Sequence, residues 1–282
     1  MARDDIAAEI LGLHRLLRAE PELAPSPTVN RLFGRLVQIC TRHDPAAAHR
    51  VLTDERIRRI APQLRSLCAD GESELEKAWA ARVLVAPDPS AELARFPYVG
   101  NYQELIRLEL HALAGAGHEV GAVRRICFVG GGPLPLTALQ LHRATSAAIT
   151  IVDRDSDAIE LAAQVVHRLG RPTANGGPGP FALVRADAQT GEGLASAVQG
   201  CDVVMLAALV GLDREGKRRA IAHLAEVLAP GVRVVMRSAE GLRTLLYPMT
   251  EVCDVRDAGL QPELLVHPLG EVVNSVLVAR RR

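Results

Sequence analysis

The run Ile126-Cys127-Phe128-Val129-Gly130-Gly131-Gly132-Pro133-Leu134-Pro135-Leu136-Thr137-Ala138-Leu139 constrains the fold more than any other stretch of the chain. An apolar, β-rich segment runs straight into three glycines, and a helix-compatible segment follows from Leu134. Strand, glycine turn and helix in that order is how an α/β domain brings its backbone close to a nucleotide. Gly130 and Gly132 leave room where a Cβ would collide with a ligand or force a strained φ. Pro133 and Pro135 lack N–H donors, but the first turn of a helix has no intrahelical use for them. A helix that starts at a proline still points its positive end at the ligand. A lone glycine turn is a weak signal. It needs an acidic residue at the end of the next strand, roughly 20 residues on. Ala148-Ile149-Thr150-Ile151-Val152-Asp153 supplies one, and the Asp153 carboxylate can accept hydrogen bonds from ribose hydroxyls. The competing reading is a purely structural strand-to-helix turn.

With 282 residues the chain suits one large or two ordinary domains. Aromatic residues are only 3%, so Leu, Val and Ala must fill the core. Lys plus Arg and Asp plus Glu are both 33, and a net charge of zero argues against a general nucleic-acid binder. Cys40, Cys68, Cys127, Cys201 and Cys253 are far apart and form no Cys-x-x-Cys. They read as buried thiols of a reducing cytosol, not as a metal site or disulfide framework. The N-terminus lacks a signal-peptide core, and the longest apolar stretch, Val203 to Leu212, is too short to span a bilayer. The expectation is a cytoplasmic protein that binds neither membrane nor metal.

Helical spacing predicts helices over 3–20, 29–41, 54–68, 70–85 and 101–114, with Ser26 or Thr28 capping the second. The arginines of the third (Arg56, Arg58, Arg59, Arg65) read as a solvated face. No strand-period pattern appears before residue 120, so 1–118 is expected to be an all-helical unit of about five helices. From 119 to 282 the pattern switches. Strands are expected near 124–129, 148–152, 181–185, 202–206, 232–236, 263–267 and 273–279. Helices near 134–144, 156–169, 191–199, 213–228 and 241–246 lie between them, and 170–180 reads as a flexible loop. Such alternation implies an α/β fold with a mostly parallel sheet. The last two strands lie too close together to be parallel. A sheet ending in such a pair has the Rossmann-like shape of class I S-adenosylmethionine-dependent transferases.

In that fold Asp187, after the third strand, is placed to accept a hydrogen bond from the adenine amine; the alternative is a helix N-cap. Met205-Leu206-Ala207-Ala208-Leu209-Val210 ends the fourth strand, and ligands of open α/β sheets bind beyond the carboxyl ends of strands. Small Ala207 and Ala208 would let a sulfonium and its amino-acid arm approach the backbone.

Phe128 to Thr137 resembles the glycine loop of nicotianamine synthases. So do Met205 to Gly211, Arg237-Ser238-Ala239, Leu246-Tyr247-Pro248, and His267-Pro268 followed by Val273-Asn274-Ser275-Val276. In the helical part, Pro25 to Phe33 and Phe96-Pro97-Tyr98-Val99-Gly100-Asn101-Tyr102 look similar too. The resemblance covers nearly the whole chain, in order. It implies aminocarboxypropyl transfer: an amine attacks the γ-carbon of the amino-acid arm of S-adenosylmethionine, and 5′-methylthioadenosine leaves. Plant and archaeal members repeat the step and close an azetidine ring. Bacterial relatives put one arm on an amino acid such as histidine, and a partner opine-type dehydrogenase completes a metallophore. Plant members often have His after Arg-Ser-Ala, where this chain has Glu240.

The resemblance also implies site residues. Gly130, Gly131, Gly132, Pro133, Asp153, Asp187, Ala207, Ala208 and Leu209 would surround S-adenosylmethionine. Glu76 matches the helical glutamate that takes the acceptor amine's proton, and Tyr102 matches the tyrosine that holds the acceptor. From its own residues alone, Glu76 reads as a solvated helix carboxylate, and only the resemblance makes it catalytic. Arg237 and Ser238, past the fifth strand, would meet a substrate carboxylate or form a structural ion pair. His267 reads as a packed histidine. An ordinary methyltransferase on the same fold and an inert nucleotide-binding module remain the alternatives. Against a dehydrogenase, Pro133 and Pro135 stand where a third packing glycine is usual.

Overall fold

The computed structural model describes residues 5–169 and 179–282. The expected loop at 170–180 therefore falls almost wholly outside the described residues. Six helices come first: α1 (Asp5–Ala19), α2 (Pro27–Cys40), α3 (Pro45–Thr53), α4 (Glu55–Val85), α5 (Pro89–Leu93) and α6 (Val99–Gly115). Ser26, not Thr28, caps α2: its Oγ accepts the Val29 N–H at 3.1 Å, with Pro27 in the first turn. Asp44 caps α3 in the same way, accepting from the Ala47 N–H at 2.8 Å.

Two expectations fail here. The segment α3 was not anticipated. The segments 54–68 and 70–85 are one helix of 31 residues with Pro62 inside it. Packing overrides local propensity along α4, because Ile57, Leu64, Trp79, Ala80 and Val83 are all buried. Gly71 does not break the helix either; the ring of Phe33 fills the space its side chain would need. Nor is Arg65 simply solvated. Its guanidinium donates to the carbonyls of Leu212 and Thr244, both at 3.1 Å, tying α4 to the C-terminal half.

All seven expected strands are present: β1 (Arg125–Val129), β2 (Ala148–Asp153), β3 (Phe181–Arg185), β4 (Val203–Leu206), β5 (Arg233–Ser238), β6 (Leu260–Val266) and β7 (Ser275–Arg281). They form one sheet in the order β3-β2-β1-β4-β5-β7-β6, with β7 antiparallel to both neighbours. This is the mostly parallel, Rossmann-like α/β sheet expected from the sequence, ending in an antiparallel pair. The helices between strands are α7 (Leu136–Thr145), α8 (Ser156–Leu169), α9 (Leu194–Val198), α10 (Arg214–Val227) and α11 (Val252–Asp257). The last was not expected, and the expected helix at 241–246 is a 3-10 helix, Gly241–Leu245. The helix after the glycine turn begins at Leu136, not Leu134, because both prolines are used in the turn itself.

Alternate residues of the central strands feed two cores. Ile126, Phe128, Val203 and Met205 pack with Leu105, Leu113 and Leu141 of α6 and α7. Cys127, Val129, Val204 and Leu206 pack with Leu194, Ala220 and Leu224 of α9 and α10. Thus α6 belongs to the sheet's covering layer. Two further clusters join the halves. Leu242, Leu245, Leu246 and Val273 sit in the core of α1, α2 and α4, and Trp79, Val83 and Phe96 pack on Leu134, Leu136 and Val165. The second cluster holds α4 above the glycine turn, at the point where strand order reverses between β1 and β4. Among the cysteines, Cys40, Cys127 and Cys201 are buried as expected, but Cys253 is exposed, because α11 presents it outward beside Arg214.

Candidate functional site

The glycine turn is built by backbone. The N–H groups of Gly130 and Gly131 both donate to the Val152 carbonyl, at 2.8 and 2.9 Å. Gly130 and Gly132 have φ of +90° and +63°, which an L side chain resists. A Cβ on Gly130 would stand 2.6 Å from Val210 Cγ2 and 2.8 Å from Ala207 Cβ, so the loop after β4 rests directly on the turn. Asp153 ends β2 and ties the turn to it: Oδ2 accepts the Gly132 N–H at 2.9 Å, and Oδ1 accepts the Asp155 N–H at 3.0 Å.

Beyond these strand ends lies a cavity of about 300 Å³. The structure brings Glu76, Tyr102, Gly130, Gly131, Gly132, Pro133, Asp153, Asp187, Ala207, Ala208, Leu209 and Arg237 together around it. Asp187 is not a helix N-cap; its Oδ1 accepts the Gln189 N–H at 2.8 Å and shapes a turn, while α9 starts later, after Gly193. Ser238 is the predicted site residue that the cavity does not include. It points off the cavity and its Oγ accepts the Thr250 N–H at 2.8 Å, because side chains alternate along β5. Arg237 does reach the cavity, but it is committed to an ion pair: Nε donates to Glu109 at 2.7 Å, and Nη2 donates to Glu109 at 3.3 Å and Thr137 at 3.1 Å. Desolvation opposes its charge, but the charge and hydrogen bond of Glu109, with Tyr102 and Glu72, together outweigh it and hold the guanidinium protonated. His267 is exposed rather than packed, because it follows the edge strand β6; its Nδ1 lies 2.8 Å from Ser275 Oγ and 3.5 Å from Glu240.

A second cavity, of about 490 Å³, opens among the helices and Leu246. The two cavities share a wall made of Glu72, Glu76, Asn101, Tyr102, Tyr247 and Val273. Glu76 is half-buried in this wall, against Gly132 on one side and the Tyr102 hydroxyl, 3.5 Å away, on the other. Burial first, then the charges of Glu72 and Asp153, push its carboxyl well above the usual carboxylate range; the Leu134 N–H opposes this. Burial also raises the phenols of Tyr102 and Tyr247, with Glu72 next in importance for both. Such an arrangement can bind a cation and accept its proton.

Three participants were not read from the sequence. Glu72 lies one helical turn before Glu76, and the i, i+4 spacing of two glutamates was the available signal. Tyr247 donates to Glu72 at 2.9 Å, a contact across 175 residues that no local pattern reveals. Lys217 is only 2% exposed, and its Nζ donates to the Ala207 carbonyl at 2.9 Å. Burial, then the Arg237 charge, pushes its ammonium down to about 7. Among the described residues, no three His, Cys, Asp or Glu side chains gather to hold a metal ion, and no helix is long and apolar enough to cross a membrane.

Comparison with known proteins finds relatives that span the whole chain. The crystal structure of MtNAS in complex with MTA and tNA superposes with a TM-score of 0.80 at 24% identity, covering 99% of this chain and 97% of that one. A mutant of MtNAS in complex with S-adenosylmethionine gives 0.78 at 24% identity, covering 98% and 97%. Nicotianamine synthase 9 of Hordeum vulgare is 36% identical over 292 residues, 100% of this chain and 80% of its own length. Nicotianamine synthase 2 of Oryza sativa subsp. japonica is 37% identical over 278 residues, 98% of this chain and 82% of its own. The model of the nicotianamine synthase protein family matches residues 2–282, and the chain belongs to that family.

Proposed function

We propose that the chain transfers the 3-amino-3-carboxypropyl group of S-adenosylmethionine to the amine of a small amino acid and releases 5′-methylthioadenosine. The observation that carries this reading is the position of Glu76, half-buried between the nucleotide-type glycine turn and the second cavity. Asp153 takes the ribose hydroxyls and Asp187 the adenine amine. The glycine turn and Pro133 flank the amino-acid arm, and the backbone of Ala207, Ala208 and Leu209 flanks the sulfonium. In this division, residues 1–118 supply the acceptor side and cover the site, and residues 119–282 hold the S-adenosylmethionine.

The acceptor enters as an ammonium from the second cavity, with Tyr102 orienting it. Glu76 takes one proton, which leaves a lone pair on nitrogen. That pair forms the N–Cγ bond while the Cγ–S bond breaks, and its electrons neutralise the sulfonium as a thioether. The proton on Glu76 then passes to solvent. Which of the sulfonium's carbons reacts is a matter of placement, since all three are electrophilic. Bound substrates filling both cavities would exclude water and limit hydrolysis of the arm. The product carries an added amine and carboxylate, the makings of a metal chelator, and an opine-type dehydrogenase acting on its α-amine is the expected next step.

The test is chromatography and mass spectrometry of reactions supplied with S-adenosylmethionine and a panel of amino acids. Methylthioadenosine released in step with one aminobutyrate mass gain per transfer is the expected result. S-adenosylhomocysteine as the turnover product would replace this reading with a methyltransferase.

A further inference from the structure

Glu76 shares its environment with a second carboxylate. Glu72 stands one turn earlier on α4, and the Tyr102 hydroxyl lies 3.4 Å from Glu72 Oε1 and 3.5 Å from Glu76 Oε1. That hydroxyl has one proton to donate, so it serves one carboxylate at a time. Two carboxylates this close, both half-buried, do not readily ionise together. The pair is not symmetric. Desolvation pushes the Glu72 carboxyl up too, but Tyr247 donates to its other oxygen at 2.9 Å, and that hydrogen bond and the Arg237 guanidinium oppose the shift and favour charge there. Glu76 faces a different set: Glu72 on its own helix, Asp153 from the end of β2, the Tyr102 hydroxyl from α6 and the Leu134 N–H from the glycine turn. The remaining titratable neighbours of Glu72 are Cys68 on α4 and Tyr98 at the start of α6. Two carboxylates thus oppose charge on Glu76 and two uncharged donors favour it. On Glu72 a cation and a short phenol hydrogen bond favour charge.

We propose that Glu72 is a positioning residue whose charge, held in place by Tyr247, makes Glu76 a strong enough base to take the proton of the acceptor's ammonium group. An isolated carboxylate holds a proton too weakly to draw it from an amine at a useful rate, and a base is most effective when its proton affinity approaches that of its partner. A fixed negative charge one helical turn away raises that affinity without adding bulk to the site. The shared Tyr102 hydroxyl then has a second use. It moves toward Glu72 when Glu76 is protonated and toward Glu76 when it is not. The inference rests on the reading of Glu76 as the proton acceptor.

The experiment is the pH profile of kcat/KM for the full chain, read as methylthioadenosine release, in the wild type, Glu76→Gln, Glu72→Gln, Glu72→Asp and Tyr247→Phe. Glu76→Gln comes first. Turnover at the wild-type rate would overturn the base reading, and this inference with it. With Glu76→Gln inactive, Glu72→Gln should shift the acid limb about one pH unit toward acid and lower the plateau about 3- to 30-fold. Glu72→Asp keeps the charge and should keep the limb in place. Tyr247→Phe removes the hydrogen bond that fixes charge on Glu72, so Glu72 takes up the shared proton and the limb again moves toward acid. A merely structural role lowers the plateau without moving the limb, and an unmoved limb in both Glu72→Gln and Tyr247→Phe overturns the proposal. Should Glu72→Gln not fold, Tyr247→Phe alone decides it. Infrared titration of the protonated-carboxyl band, assigned by its loss in Glu76→Gln, reads the same shift without turnover.

Discussion

The carboxylate of Glu76 fills the space in which a side chain at position 132 would stand: a Cβ built on Gly132 would overlap its Oε2. A residue of the helical part and a residue of the nucleotide-type turn are therefore in direct contact, although 56 positions separate them in the sequence. Gly132→Ala tests what that contact does. The atom in the way is the tip of a side chain, so the fold should survive, with a left-handed φ costing about 1–2 kcal/mol. The carboxylate must move, and displacing a reacting group by about 1 Å lowers turnover about 100-fold. Thermal melting and methylthioadenosine release measure the two effects separately. Wild-type turnover in a folded Gly132→Ala would show that the position of Glu76 does not matter.

Asp153 has one job that is visible and one that is proposed. It accepts the Gly132 N–H at 2.9 Å, and it is assigned the ribose hydroxyls. Asp153→Ala should weaken S-adenosylmethionine binding by about 1.5–3 kcal/mol, the usual loss for hydrogen bonds to a charged group. Asp153→Asn keeps an acceptor for the turn and should recover part of the loss. Calorimetric titration measures both, and unchanged affinity in folded Asp153→Ala would remove Asp153 from the ribose site.

Strand spacing and the glycine turn made the sheet legible, because apolar runs bounded by glycine and proline carry a strong period-2 signal. The helical part was less so. Pro62 and Gly71 looked like punctuation, yet burial of Leu64 and Trp79 and the ring of Phe33 carry α4 straight through them. The site divides in the same way. Gly130, Asp153 and Asp187 follow from where strands end. Glu76 and Tyr102 came from family likeness, since nothing local distinguishes a half-buried helix glutamate from a solvated one. Tyr247 and Lys217 depend on contacts that form only when distant segments pack. Ser238 was misjudged by a single position in a strand, which is enough to turn a side chain to the other face.

The pair of Arg237 and Glu109 is buried, with only 6% and 1% of the two residues exposed, and it joins β5 to α6. Breaking one side of such a pair strands a charge in a water-poor interior. Glu109→Gln should therefore destabilise the chain by about 3–5 kcal/mol. The double replacement Arg237→Met with Glu109→Leu should cost less than Glu109→Gln alone. Urea unfolding gives both values, and a near-neutral Glu109→Gln would mean that the ion pair contributes nothing net.

Lys217 gives a pH dependence with a definite sign. Its ammonium is pushed down to about 7 by burial and by Arg237, while in the unfolded chain it stands near the ordinary lysine value of about 10.4. Below about pH 7 both states hold the proton, and folding bears the full cost of burying the charge. Between about 7 and about 10.4 the unfolded chain holds more protons than the folded one, so this lysine's contribution to stability rises with pH. Above that window both states are neutral and the contribution is level. The hydrogen bond to the Ala207 carbonyl does not account for the slope, because a neutral amine still has N–H groups to donate. Lys217→Met keeps the side-chain length, removes the charge and leaves that carbonyl without its donor, a loss of about 1–3 kcal/mol at every pH. Compared with the wild type, Lys217→Met should therefore be at its best near pH 6 and fall steadily behind as pH approaches 10. Urea midpoints of both proteins across that range read the difference directly. A difference that stays constant with pH would show that Lys217 keeps its proton in the folded chain as readily as it does in water.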